Sequence, residues 1–261
     1  MDSYSWMEDF SYGYYIKILS LLENKFQFCS FYESIRYIGK YADPPIVLLR
    51  HDVDLDVDKA LIMAKIEANM GISSCFMFLT NCPFYSINDS SVISAIQNIR
   101  EMGHEIGLHY DSHQYKDTGS NIDLIEAECY NLESSIGSII SSISFHRPLP
   151  KYINGPTFIN GRVNAYASGL MESYLSDSKG RWRDGEPISI IENYEKHGIL
   201  QLLVHPIWWG DTHLSAPKKL QDFFNNKTKN ISKRDARVFD NKLTEPVPVV
   251  RSDKLTIRGE W

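Results

Sequence analysis

From about residue 46 onward, short apolar runs alternate with longer stretches whose apolar positions recur at helical spacing. Runs at 46–50, 74–79, 105–109, 143–147, 172–176, 188–191 and 199–204 have the length and the flanking residues of buried strands. Helices are expected at 57–70, 90–102 and about 121–137; in the second, Val92, Ile93, Ile96, Ile99 and Met102 share a face and Gly103 ends it. Strand and helix in alternation predict a parallel sheet covered on both faces and closed, or nearly closed, into a barrel. Barrels of this kind carry their chemistry at the C-terminal ends of the strands.

Residues 1–45 precede this pattern as an aromatic-rich N-terminal segment with helical character, closed by Asp43-Pro44-Pro45 and expected to pack on the barrel. The barrel itself is expected over 46–235, with 236–261 as a C-terminal arm, all in a single structural domain because no repeat, linker or low-complexity tract intervenes.

Composition narrows the function classes. With 43% hydrophobic and 23% charged residues, the 261-residue chain is able to bury a core, and its net charge of -6 argues against a nucleic-acid partner. Lysines and arginines do gather at Lys218-Lys219 and from Lys227 to Arg234, which reads as a solvated face. Cys29, Cys75, Cys82 and Cys129 form no C-x-x-C pair, and the N-terminus shows no basic, then apolar, leader. Tyr14 to Leu22 is interrupted by Lys17 and Ser20, which suits an amphipathic helix better than a membrane span. A cytoplasmic protein without a membrane span is therefore expected; the sequence assigns no oligomeric state.

Two strand ends carry ligand chemistry. Ile46 to Leu49 run into Arg50-His51-Asp52-Val53-Asp54, and the run near 105–109 leads to His109 and, four residues on, His113. One carboxylate and two histidines make the three-ligand set of a catalytic zinc site, and a second carboxylate is left over for proton transfer. Strand alternation turns Asp52 and Asp54 to the same side, and Val53 and His51 to the other. His104 is expected to be structural.

Gly103-His104-Glu105-Ile106-Gly107-x-His109-x-x-x-His113, preceded by an acidic pair after an earlier strand, resembles the polysaccharide deacetylase family, the NodB-homology or carbohydrate esterase family 4 domain. Three further pieces follow in the family's order: Ser144-Phe145-His146-Arg147-Pro148, Ser176-Asp177-Ser178 with Trp182, and Leu203-Val204-His205. Together the five span residues 46 to 209. The acids are split by Val53 and preceded by His51, as in a divergent His-Asp-Val-Asp branch, and Leu149-Pro150 follows the Arg-Pro element where the family usually has Gly or Tyr.

The resemblance implies a distorted seven-stranded (β/α) barrel and a metal-dependent hydrolase that removes an N-acyl group, such as acetyl, from an amino sugar. It implies Asp54, His109 and His113 as ligands of a divalent metal, zinc first, with cobalt, nickel, iron or manganese as alternatives. Asp52 becomes the general base, held by Arg147; His205 becomes the general acid, oriented by Asp177. Trp182, Trp208 and Trp209 read either as a sugar-stacking platform or as core, and Arg183, with Arg181, either as a phosphate contact or as a solvated side chain. The substrate expected is a nucleotide- or lipid-linked amino sugar of surface polysaccharide, or O-antigen, assembly. Two other readings stay open: an amidase on a small nitrogenous compound, and a non-catalytic carbohydrate-binding or assembly protein on the same fold.

Overall fold

A computed structural model describes residues 9–113 and 122–239, with the side chains of 229–239 left aside. The chain divides into two compact units between Leu214 and Ser215. The second holds one long helix, Ala216–Phe239, carrying an exposed Lys218–Asp222 pair at i, i+4. Of the expected C-terminal arm, residues 240–261 lie outside the described residues.

The first unit opens with helix α1 (Tyr12–Lys25), capped by the Ser11 hydroxyl, which accepts from the Tyr14 amide. Its buried face, Tyr15, Ile18, Leu19 and Leu22, follows the i, i+3, i+4, i+7 spacing of an amphipathic helix. Strand β1 (Gln27–Phe28) and the short α2 (Phe31–Ser34) lead to β2 (Ile46–Val53), buried along its whole length. Then follow α3 (Val57–Asn69), β3 (Cys75–Phe78), α4 (Ser90–Glu101), β4 (Glu105–Asp111), α5 (Ile122–Ile136) and β5 (Ser142–His146). A hairpin, β6 (Phe158–Ile159) and β7 (Arg162–Asn164), precedes β8 (Tyr174–Ser176), α6 (Pro187–Glu192) and β9 (Ile199–Val204).

Seven strands lie parallel in the order β7-β5-β4-β3-β2-β9-β8, with β6 antiparallel on β7 and β1 beside the start of β2. Among the described residues no ladder joins β8 to β6 or β7, so the sheet curls into a distorted (β/α)7 barrel that its hydrogen bonds leave open. β2 stands mid-sheet, between β3 and β9. Its alternation sorts the core. Ile46 and Leu48 join Met77, Val163 and Ile199 in one apolar cluster, while Val47 and Leu49 pack with the α1 face in another. Continuing the first side upward brings Arg50 and Asp52 over the apolar floor.

The seventh strand is not where the apolar pattern puts it. Residues 188–191 are helical: Glu186 caps α6 by accepting from the Ser189 amide, and Pro187 takes the first turn. Pro187 and Ile191, one turn apart, are buried; a short apolar run fits either period, and the cap decides. The missing strand is β7, reached through a two-residue turn in which Asn160 and Gly161 have φ of 48° and 80°. Both central residues with positive φ make the turn that twists with its strands, and Asn-Gly is its sequence mark.

Candidate metal centre

Asp54 leaves the end of β2, His109 stands on β4 and His146 ends β5, so two neighbouring strands and a third, one strand further along the sheet, deliver three donors to one point. One ligand atom from each lies within 4.8 Å of the others. Asp54 Oδ1 is 3.1 Å from His109 Nε2 and 3.2 Å from His146 Nδ1. It is buried, yet neither contact has hydrogen-bond geometry, so the oxygen is without a hydrogen-bond partner. Donors about 2.1 Å from a shared tetrahedral ion stand about 3.4 Å apart, close to this spacing. An orphaned carboxylate oxygen between two ring nitrogens therefore fits a divalent ion of the kind that His and Asp bind. Burial pushes Asp54 up, but His109 and His146 more than offset it and hold the carboxyl well below its usual range. Burial likewise lowers His146, and Asp54 outweighs it, leaving that ring raised.

Around this point stand two further carboxylates in different settings. Asp177, fully buried, receives the His205 backbone N–H on both oxygens at 3.0 Å and sits 2.6 Å from His205 Nδ1. Trp209 donates its indole N–H to the other oxygen at 3.0 Å. The opposite ring nitrogen, His205 Nε2, faces Asp54 Oδ2 at 3.9 Å. Burial lowers His205, but the charge and hydrogen bond of Asp177, with the charges of Asp54 and Asp52, together outweigh it and raise the ring to about 9. Asp52 is 2% exposed and takes both prongs of Arg50, Nε to Oδ1 at 2.8 Å and Nη2 to Oδ2 at 2.6 Å. Burial raises Asp52, and Arg50 with His109 brings it below the ordinary value. Arg50 is itself fully buried and also donates to Gln201 Oε1 and the Tyr166 hydroxyl, each at 2.9 Å.

Other expected residues lie apart from this cluster or contact different partners. His113 does not reach the cluster: its Nδ1 is 3.8 Å from Asp111 Oδ1 and its side chain is 46% exposed. β4 stays extended from His109 through Asp111, about 7 Å, before the turn at Ser112-His113, so the two histidines are not stacked one helical turn apart. His146 stands in its place. Arg147 does not hold Asp52; it lies in the left-handed region at φ 50° and donates to Asp111 at 2.8 Å. Arg50 does that work, two residues before Asp52 on the same side of β2. Trp182 and Trp209 are buried among Phe10 and each other, which makes them core. Trp208 is half-buried with its indole nitrogen unpaired, and Arg183 is exposed. His51 turns to the helix side, stacked on Phe76 at 4.0 Å and paired with the buried Glu67 at 2.8 Å. His104 is buried there too, beside Ser74 and the Ala64 carbonyl.

His146 was legible in principle, since it closes an apolar run as Asp54 and His109 do. Arg50 and Ser144 were not singled out, although alternation puts each two residues from a strand-end group on the same side.

No protein-family model and no curated protein matches the sequence. The solved structures that the chain resembles include family 4 carbohydrate esterase (CE4) proteins and a chitin deacetylase. One is the CE4 domain of a multidomain xylanase from the hindgut metagenome of Trinervitermes trinervoides, 12% identical over 77% of this chain and 92% of that one, TM-score 0.42. Another is the chitin deacetylase of Colletotrichum lindemuthianum, 17% identical over 69% and 81%, TM-score 0.41. A third is a CE4 family pseudoenzyme from Bacillus anthracis, 12% identical, TM-score 0.41, covering 70% of this chain and 60% of its own length. The chemistry of the present site is read from its own side chains.

Proposed function

We propose that this protein is a metal-dependent hydrolase that removes an acyl group, acetyl in the first instance, from the nitrogen of an amino sugar. The convergence of Asp54, His109 and His146 on one point, with the Nε2 face of His205 turned to the same point, is the observation that carries the reading. Motif resemblance supplies the sugar; the side chains supply hydrolysis. Asp54 Oδ1, His109 Nε2 and His146 Nδ1 would hold the ion. When bound, it supplies Lewis acidity, polarising the acyl oxygen and lowering the pKa of water.

The chain's own part is proton management and orientation. Asp177 accepts from His205 at Nδ1, so the ring's transferable proton sits at Nε2, where a leaving amine would take it. The raised pKa of His205 keeps that proton in place at neutral pH. Trp209 fixes the second oxygen of Asp177, and with it the plane of the carboxylate.

A nucleotide- or lipid-linked amino sugar of surface-polysaccharide assembly is the substrate we propose, in a cytoplasmic setting. Four free cysteines, three of them buried, suit a reducing compartment. Among the described residues no helix is long and apolar enough to cross a membrane. Acetate release from a panel of N-acetylated sugars, free and nucleotide-linked, set against cyclic and linear amides, tests the class. Turnover of the amides alone would move the protein to the amidase reading. Tight sugar binding without turnover in the zinc-loaded protein would make it a binding protein.

A further inference from the structure

The resemblance casts Asp52 as the general base, and the geometry gives it another task. We infer that Asp52 is a positioning residue that acts through Ser144 on His109, setting which ring nitrogen of His109 is free to bind metal. The inference rests on the metal-centre reading above and deepens it.

Ser144 sits on β5 directly opposite His109 of β4 in the parallel ladder. Its Oγ is 2.6 Å from His109 Nδ1, and it donates to Asp52 Oδ1 at 3.3 Å. A carboxylate gripped by a guanidinium offers acceptors only, so the one hydroxyl proton of Ser144 is committed to Asp52. The Ser144 oxygen is then left to accept, and the partner it accepts from is an N–H at Nδ1 of His109. A neutral imidazole with its proton on Nδ1 has its lone pair on Nε2. That is the nitrogen 3.1 Å from Asp54 Oδ1. The chain Arg50–Asp52–Ser144–His109 thus fixes direction at each link, and its last link presents a ligand.

Placement argues against a base. Asp52 Oδ1 lies 3.7 Å from His109 Nδ1, whereas Asp54 Oδ1 faces Nε2; Asp52 is on the far side of the ring from the ligand cluster. Both its oxygens are taken by Arg50, and only 2% of it is exposed. Metal-bound histidines are commonly held in this manner by a hydrogen-bonded partner at the other nitrogen, and losing the partner weakens metal binding by about 10–100-fold.

The test uses the full chain with its histidines labelled with nitrogen-15, first metal-free and then titrated with zinc against a competing chelator. Wild type and Ser144→Thr, which keeps the hydroxyl, should show His109 protonated at Nδ1. Ser144→Ala should show a tautomer mixture and zinc affinity about 10–100-fold weaker. Asp52→Asn, whose amide can donate to Ser144 and reverse the chain, should weaken zinc similarly. Unchanged tautomer and affinity in Ser144→Ala, with Asp52→Asn losing acyl release at full zinc occupancy, would overturn the inference and restore Asp52 as base. A wild type that binds no zinc would instead refute the metal centre, while the metal-free tautomer comparison still decides the role of Ser144.

Discussion

Replacing Arg50 by methionine removes the cation that a buried carboxylate depends on, and the consequence can be worked from the contacts. Arg50 is fully buried and Asp52 is 2% exposed; they are joined by two short bonds. Removing one member of such a pair leaves an uncompensated charge in the interior, which costs about 3–5 kcal/mol. Gln201 Oε1 and the Tyr166 hydroxyl each lose a charge-assisted partner as well, and Tyr166 loses the guanidinium 4.5 Å from its ring centre. Total stability of a domain is about 5–15 kcal/mol, so the loss is a large share of the whole. For a chain of this size it should lower Tm by roughly 6–20 °C. Adding Asp52→Leu to the same chain removes the stranded charge, and most of the loss should return, since an apolar pair of similar volume often matches a buried ion pair. Urea denaturation of wild type, single and double variants gives the numbers. A single variant within 1 kcal/mol of wild type, or a double variant no better than the single, would refute the claim that Arg50 exists to hold Asp52.

Other outcomes follow from the same contacts. Glu67 is buried between His51, the Tyr15 hydroxyl and Ser74; burial raises its pKa, but His51 and the hydrogen bonds bring it below the usual carboxylate value. A depressed folded pKa adds stability that is present above the unfolded value and is lost as pH falls through the folded one, so the stability gap between wild type and Glu67→Gln should shrink below about pH 4.5; a pH-independent gap in denaturation curves would contradict this. Asp177→Asn should move the alkaline limb of acyl release from about pH 9 toward lower pH, because Asp177 is the main influence raising His205, and an unmoved limb would remove His205 as the acid. Gly107→Ala would drive a methyl group into Met77 Sδ and set it 2.9 Å from the Ser142 carbonyl oxygen, overpacking the barrel floor by about 1–3 kcal/mol; a melting curve equal to wild type would contradict it.

Much of this architecture could be read from the chain because burial on both faces makes parallel strands stand out as continuous apolar runs, and β2 and β9 do so cleanly. Residues 188–191 could not be told apart that way, since four apolar-rich residues satisfy two periods and only the Glu186 cap distinguishes them. β7 is three residues long and escaped the same search, though Asn160-Gly161 marks its hairpin. At the candidate site, Asp54, Asp177 and His205 stand out in the sequence because each directly follows a strand, and His109 because it ends an apolar run within β4. His113 is marked in the sequence by its spacing from His109, whereas His146 is brought to Asp54 and His109 by strand pairing that spacing does not show. Arg50 does not stand out in the sequence because a fully buried arginine runs against the ordinary burial of that residue type, and its partners lie on β2, β9 and the segment after β7.

The central claim is the identity of the three ligands. Zinc content per chain, measured after reconstitution and removal of excess metal, should be about one for wild type and for His113→Ala, and should fall to near zero for His146→Ala. Zinc lost from His113→Ala and retained by His146→Ala would contradict the account.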